Sequence, residues 1–316
     1  MISTQYLTLF SVILTGLFFG LPPILLKLIL KEFNTFTTVF IRSLFALLLV
    51  LPIVIPKKAH LIQKKDLLPV LLVSLLPAGN IILFIIGLQF TTAIVSNLMY
   101  CLVPINTLLF AKILLKEKLS PLKTLGIFLG LSGTIIILLY PLISANQSLI
   151  FSLGTLKGNL IILIASFIWT SYLILSKKLS YKYSPLTLSF FSFLSIPFIS
   201  LLPTLFEIVN QSALKQPLTA NNFFLFFILF LILIVFATIA PIFLNQWTIK
   251  HASPVVASFN TYLSVATTAT LAIIFLSEKL TLPFLVGTFL IFSGVFMVNT
   301  FPHLKKFKDN VLQSKL

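Results

Sequence analysis

"LKEKLS" occupies residues 115–120 and "LSEKLT" residues 276–281, each at the end of a long apolar run. The chain has 316 residues but only six acidic ones. Two of the six, Glu117 and Glu278, stand in this same hexapeptide, 161 residues apart. Either the match is a by-product of a Leu- and Lys-rich vocabulary, or the chain is two copies of one unit. Sliding the chain by that interval aligns "LKEKLSPLKTLGIFLGLSGTIIIL" (115–138) with "LSEKLTLPFLVGTFLIFSGVFMVN" (276–299) without a gap, and nine of the 24 positions are identical. The Leu and Phe identities are cheap in this composition. Those at Glu117/Glu278, Lys118/Lys279, Gly126/Gly287, Ser132/Ser293 and Gly133/Gly294 are not. The preceding runs keep the interval more weakly, "TTAIVSN" from 91 lying over "ASPVVAS" from 252.

The runs that the hexapeptides close are too apolar for a soluble domain. Hydrophobic residues make up 59% of the chain and charged residues 9%, and the mean hydropathy is +1.14. A soluble domain carries roughly 25% charged residues, because its surface must be solvated. About 20 apolar residues suffice to cross hydrocarbon as a helix, and this chain supplies such runs repeatedly. A formal charge of +16 would suggest nucleic acid in a soluble protein. Here the basic residues cluster between apolar runs, as cytoplasmic loops do, so nucleic acid is set aside as a partner. Cys101 is the single cysteine and allows no internal disulfide. The first run is longer than a signal-peptide core and carries Pro22-Pro23 in place of a small-residue cleavage site, so it reads as a retained first span.

Hydrophobic windows predict ten spans: 5–29, 34–55, 67–89, 92–114, 121–142, 156–177, 184–205, 222–248, 253–276 and 282–301. Only 143–155 and 206–221 read as loops of any length. With a cytoplasmic amino terminus, the inner links and tail hold sixteen lysines, at 57, 58, 64, 65, 112, 116, 118, 123, 177, 178, 182, 250, 305, 306, 308 and 315. The outer links hold four, at 31, 157, 215 and 279, with Lys27 and Arg42 left inside spans. That bias places both termini in the cytoplasm. The expected fold is therefore an all-α polytopic membrane protein of ten transmembrane helices in two five-helix repeats. The first is 1–142, then come an extracytoplasmic link at 143–155, the second repeat at 156–301 and a basic tail at 302–316. Five is odd, so the second repeat lies inverted relative to the first, an arrangement common in secondary transporters.

The pattern resembles the drug/metabolite transporter superfamily, in its EamA-type ten-helix group. The resemblance rests on the Glu-Lys-Leu joint followed by a Gly- and Ser-Gly-bearing span at 117–133 and again at 278–294. It is joined by "LFFGLPPILLK" (17–27), Arg42 in "FIRSLFALLL", and "FIWTSYLILSKK" (167–178). It implies a transporter, often an exporter, of amino acids or related metabolites in a bacterial inner membrane. The doubled proline at 22–23 departs from the first-helix pattern.

Charged groups inside hydrocarbon are costly and often functional. Arg42 lies some way into the second span, and its planar guanidinium suits a carboxylate or phosphate; snorkelling or capping of helix carbonyls is the alternative. Lys27, nearer the interface, reads more readily as snorkelling. "PAGN" (77–80) is expected to open the third span, letting Asn80 reach a ligand. Tyr100 lies between Asn97 and Asn106 in the fourth span, and Trp169 and Tyr172 share a face of the sixth. Asn245, Gln246 and Trp247 end the eighth, and Asn260 and Tyr262 lie in the ninth. For each polar group, interhelical hydrogen bonding competes with ligand contact. The candidate substrate set is Arg42, Asn80, Tyr100, Trp169 and Tyr262.

No Asp or Glu falls deep in a predicted span, which favours facilitated or exchange transport over proton symport. No carboxylate pair, metal-spaced His set or activated nucleophile supports an enzyme or a metal site, and no cofactor is expected. A channel remains a rival. The expected partners are a small-molecule substrate and the lipid bilayer, with the chain as monomer or homodimer. Arg42 and Lys27 without deep acids favour an anion or zwitterion, and Trp169 or Tyr262 would stack on an aromatic amino acid or a nucleotide-like solute. The joint acids, Glu117 and Glu278, read as structural neighbours of the helices that follow them, with Ser120 and Thr281 as caps.

Overall fold

The computed structural model describes residues 4–115, 121–143, 153–210, 212–215 and 220–299. Glu117 and Ser120 lie outside them. Among the described residues the chain is helical, with one isolated bridge between Phe33 and Leu214. We number the helices α1 (Thr4–Phe19), α2 (Pro22–Ile29), α3 (Thr35–Val54), α4 (Leu67–Leu88), α5 (Ala93–Met99), α6 (Val103–Leu115) and α7 (Pro121–Ile143). They continue as α8 (Leu156–Ser180), α9 (Pro185–Val209), α10 (Ala220–Ile234), α11 (Ala240–His251), α12 (Pro254–Ser258), α13 (Asn260–Leu276) and α14 (Leu282–Asn299). Seven segments are long and apolar enough to cross a membrane: Tyr6–Ile29, Thr35–Val54, Lys64–Leu88, Leu156–Ser180, Pro185–Val209, Asn222–His251 and Pro254–Leu276. Three shorter apolar stretches, Ala93–Thr107, Thr124–Tyr140 and Leu282–Gly294, accompany them.

The amphipathicity is that of a lipid-solvated protein. On α9, Phe198, Leu202 and Phe206, spaced i, i+4 and i+8, are 80%, 75% and 70% exposed, while Ser192, Ser195, Ser200 and Thr204 are buried. Large apolar side chains meet lipid, and small hydroxyl residues let the backbones approach. The serines donate back into their own helix, Ser200 to the Ile196 carbonyl at 2.9 Å and Thr204 to that of Ser200 at 2.7 Å. Ser192, Ser195, Ser200 and Thr204 thus all have acceptors.

Two apolar cores result. One joins α2, α3 and α4 with α9, α10 and α11; the other joins α5, α6 and α7 with α13 and α14. A smaller cluster around Trp169 and Tyr172 lies at their seam.

Three local expectations are corrected. The loop expected at 206–221 begins later, because α9 runs on to Val209 through Pro197 and Pro203. The opening expected at 77–80 does not occur, and α4 continues through Pro77. A single proline removes one amide and bends a helix, and packing holds it: Ser195 Oγ of α9 donates to the Ser74 carbonyl at 2.5 Å, beside the Val73 carbonyl whose helical donor Pro77 lacks. Thr281 does not cap α14 with its side chain; its Oγ1 is buried without a partner, and only its carbonyl accepts from Leu285.

Candidate functional site

Four interruptions of helix meet at the seam between the cores. The first span breaks between α1 and α2, where Pro22 and Pro23 remove the amides that would bond the Phe18 and Phe19 carbonyls. The α5–α6 span passes through a 3-10 turn at Tyr100–Leu102, and Pro104 withholds a donor from the Tyr100 carbonyl. The α12–α13 span breaks at Phe259. Between α10 and α11 the chain makes a π turn at Val235–Ile239, just ahead of Pro241. In hydrocarbon such irregular backbone is tolerated where it is buried in protein or lines a cavity.

A cavity of about 80 Å³ lies there. Its walls are Phe19, Pro22, Pro23, Arg42, Asn80, Ile81, Phe84, Asn97, Tyr100, Trp169, Ile242, Asn260, Thr261 and Ser264. No carboxylate, histidine or cysteine is among them, and the described residues hold no group of three His, Cys, Asp or Glu that could bind a metal. The chemistry on offer is hydrogen bonding from amides and hydroxyls, one guanidinium and aromatic faces.

Four of the five candidate residues line this cavity. Asn80 Nδ2 donates to Tyr100 Oη at 2.6 Å and to the Ala165 carbonyl at 2.8 Å, tying α4 to the 3-10 turn after α5 and to α8. Trp169 meets Phe19 edge-on at 5.6 Å and lies 5.2 Å from Tyr172, ring centre to ring centre. Tyr262 is the exception. It packs against Phe259 and Phe292 in the second core. At about 100° per residue it projects roughly 200° round α13 from Asn260, so residues 260, 261 and 264 face the cavity and 262 cannot.

Arg42 is buried, and both alternatives for it have a physical basis. Pro241 has no N–H to give the carbonyl four residues back, that of Ala237. Arg42 Nη2 donates to that carbonyl at 3.0 Å. Its Nε donates to Thr238 Oγ1 at 2.6 Å, and Thr238 donates onward to the Leu233 carbonyl at 2.7 Å. The guanidinium therefore holds the π turn, and it does so while lining the cavity with donors to spare.

The set omitted Asn97, Asn260 and Ser264. Asn97 Nδ2 donates to the Ser264 carbonyl at 3.0 Å and to Thr268 Oγ1, while Thr268 donates to the Gly20 carbonyl at 2.8 Å, at the first-span break. Asn260 donates to Asn245 Oδ1 at 3.1 Å. The sequence marks these as polar groups at depth, but only the helix phases single them out. Behind them, Asn245 Nδ2 and Gln246 Oε1 are buried without a partner among the described residues. Each such group costs about 1–3 kcal/mol, a cost relieved when water or a solute reaches it.

The ends of the bundle are tied by charge. Lys27 does not snorkel; its Nζ donates to the Thr91 carbonyl at 2.5 Å. Beside it the Glu278 carboxylate accepts from the Ala93 and Ile94 amides at 2.7 and 3.0 Å, and Thr92 Oγ1 accepts from Val95 at 3.2 Å. The first three amides of α5, otherwise orphaned, all have acceptors. At the opposite end Lys177 Nζ donates to the carbonyls of Ile249, Lys250 and Ala252 at 2.8, 3.2 and 3.0 Å. Glu207 Oε2 accepts from the Thr37 amide and hydroxyl, both at 2.7 Å, and caps α3. Sequence reasoning placed Glu207 in a loop, since its capping partner is distant in the chain.

Comparison with known proteins now decides the family. The model of the EamA-like transporter family matches residues 6–139 and again 156–300. The chain belongs to that family. An uncharacterized transporter of Archaeoglobus fulgidus is 26% identical over 286 residues, which is 89% of this chain and 93% of that protein. The uncharacterized transporter YyaM of Bacillus subtilis is 29% identical over 105 residues, 33% of each chain. A solved structure described only as the crystal structure of a protein superposes with a TM-score of 0.62 at 14% identity, covering 94% of this chain and 97% of its own, a likeness of fold alone. The EamA-like protein is thus an integral membrane protein and a membrane transporter in general terms.

Proposed function

We propose that this transporter moves a small polar metabolite, an amino acid or related zwitterion or anion, out of a bacterial cell by alternating access. Transport is facilitated or by exchange across the inner membrane, with both termini cytoplasmic. Ten spans form two inverted five-helix repeats, 1–142 and 156–301, in this proposal. The observation that carries it is the cavity at which broken spans of both halves meet, lined by Arg42, Asn80, Asn97, Tyr100, Trp169 and Asn260.

Two sets of contacts support the inverted repeat. Across α7 and α14, a Cβ on Gly133 would meet the Gly287 carbonyl at 2.5 Å and one on Gly287 the Gly133 carbonyl at 2.9 Å, while Gly294 faces Gly126 and Gly130. Shifted by 161, Gly126 becomes Gly287 and Gly133 becomes Gly294, so each glycine packs on the counterpart of the other. That reciprocity is the mark of a two-fold axis. Likewise Lys27 holds the Thr91 carbonyl and Lys177 that of Ala252, again 161 apart.

At about 80 Å³ the cavity is below the ~300 Å³ at which ligand pockets begin, so loading requires the walls to part. A small solute needs the least parting, which favours it over a nucleotide-like one. The guanidinium suits a carboxylate, and the partnerless Asn245 and Gln246 atoms suit a polar solute in passage. The test is counterflow of radiolabelled amino acids into proteoliposomes. Saturable, stereoselective counterflow whose half-saturation rises in Trp169→Ala and Asn80→Ala is expected. Ohmic current without saturation would make the protein a channel, and unchanged affinity in both variants would remove this site.

A further inference from the structure

A second and larger cavity, of about 1130 Å³, lies away from the first, between the end of α3, the start of α9 and α11. It contains none of the candidate substrate residues. Its rim is basic, with Lys57, Lys58, Lys182, Lys250 and His251, and no acidic residue lines it. Its floor is apolar, with Val50, Ile62, Leu186, Phe193 and Ile239. It opens sideways rather than toward the seam: Ile53 and Phe243, both in its wall, are 49% and 37% exposed on the lipid-facing surface.

Two features of this rim are not explained by folding. Lys58 has φ +51°, the left-handed conformation that costs a side-chain-bearing residue roughly 1 kcal/mol. The turn there closes with the Ala59 amide on the Val54 carbonyl at 3.0 Å, a helix ending that glycine fills most cheaply. A lysine at this position carries strain that brings a cation to the rim. Ser189 is fully buried in the wall, and its hydroxyl has no partner, although most serines of α9 donate to their own helix.

The cations are not equally engaged. Lys182 is paired with Asp66 at 3.1 Å, and Lys250 donates to the Tyr183 carbonyl at 3.2 Å. Lys57 and Lys58 have no such partner among the described residues. A basic rim over an apolar, laterally open floor is complementary to an anionic amphiphile. Free phosphate would use the rim and ignore the floor; a zwitterionic lipid would use the floor and gain little from the rim.

We propose that this cavity is a binding site for one anionic phospholipid, its phosphate held by Lys57 and Lys58 and its acyl chain laid along Ile53 and Phe243. Placing that lipid in the cytoplasmic leaflet rests on the orientation argued above; the site itself does not. The experiment therefore uses the full-length chain in detergent, where neither orientation nor transport is read. Native mass spectrometry follows competition between dioleoyl-phosphatidylglycerol and dioleoyl-phosphatidylcholine, which differ only in headgroup.

One phosphatidylglycerol per chain is expected to be retained in preference. The Lys57→Gln/Lys58→Gly pair is expected to cut that preference roughly 30-fold, and Lys64→Gln/Lys65→Gln, outside the cavity, to leave it. Lys58→Gly alone relieves the left-handed strain, so its unfolding temperature should hold or rise while its preference falls, which separates lost binding from lost folding. Equal retention of the two lipids, an unchanged preference in the Lys57/Lys58 pair, an equal loss in the Lys64/Lys65 pair, or displacement of the lipid by millimolar inorganic phosphate would each overturn the proposal.

Discussion

Arg42 holds the π turn and lines the cavity, and one substitution separates the two roles. Replacing Arg42 by Met withdraws a charged donor from the Ala237 carbonyl, 3.0 Å away, and another from Thr238 Oγ1, 2.6 Å away. A hydrogen bond to a charged group contributes about 1.5–3 kcal/mol. Removing a buried guanidinium also returns its desolvation cost, so the single variant has no clean sign. The coupling with Pro241 does. Pro241→Ala restores the amide that an α-helix would aim at the Ala237 carbonyl, and the guanidinium's donation becomes redundant. Arg42→Met should therefore cost about 1–2 kcal/mol less in the Pro241→Ala background than in the native one. At roughly 2 °C per kcal/mol for a chain of this size, the four unfolding temperatures should depart from additivity by about 2–4 °C. Intrinsic fluorescence of Trp169 and Trp247 in detergent reads them. Additivity within about 0.5 kcal/mol, or a larger loss in the alanine background, would refute the claim that Arg42 supports the proline break. Counterflow gives the complement: if the spare donors meet substrate, the affinity lost in Arg42→Met is the same in both backgrounds.

Gly133→Val should destabilise the bundle by about 3 kcal/mol or more, since its Cβ would meet the Gly287 carbonyl at 2.5 Å. Gly79→Ala, with nothing within 4 Å of the added Cβ, should stabilise α4 by up to about 1 kcal/mol; unfolding temperatures in detergent check both. Trp169→Ala should raise the counterflow half-saturation about tenfold while leaving the unfolded fraction at assay temperature unchanged, which circular dichroism verifies. Glu278→Gln should cost about 1–2 kcal/mol through its weakened hold on the Ala93 and Ile94 amides. An unchanged unfolding temperature would refute that capping role for Glu278.

Helix positions were legible because span length and proline position are local properties. The expected ends of 34–55 and 67–89 fall within one residue of those of α3 and α4. The breaks were legible only in part. Pro22-Pro23 interrupts its span, whereas Pro77 does not, and the difference lies in packing: the Ser74 carbonyl beside the Pro77 bend has a donor from α9. Of the candidate site, Arg42, Asn80, Tyr100 and Trp169 come together at one cavity. Tyr262 lies apart from that cavity and Asn260 lines it, because the ninth span breaks at Phe259, where no proline announces a break. Glu207 escaped notice for another reason. A carboxylate that caps Thr37, 170 positions away, leaves no local trace.

The hexapeptide carries a different meaning in three dimensions from the one its place in the chain suggests. In sequence, Glu278 precedes α14 and reads as a neighbour of that helix's positive end. In the fold it turns to α5, in the other half of the chain, where it accepts from the two amides that Thr92 leaves over. Pro254, the counterpart of Ala93, brings no N–H to α12, and Val256 donates to Ser253 Oγ at 3.1 Å, so the amide at the place of Ile94's is that of Val255. An acid that capped its own next helix would stay with it through any movement of the halves. An acid that caps a helix of the opposite half, beside Lys27, must release that helix if the two halves part at that end. Glu278 thus ties the two halves of the chain together at this end of the bundle by holding a broken span, away from the cavity lining. The rarity of acids in the chain fits this: each carboxylate set beside a membrane span must have its own donors, and Glu278 and Glu207 both find theirs at the start of a distant helix.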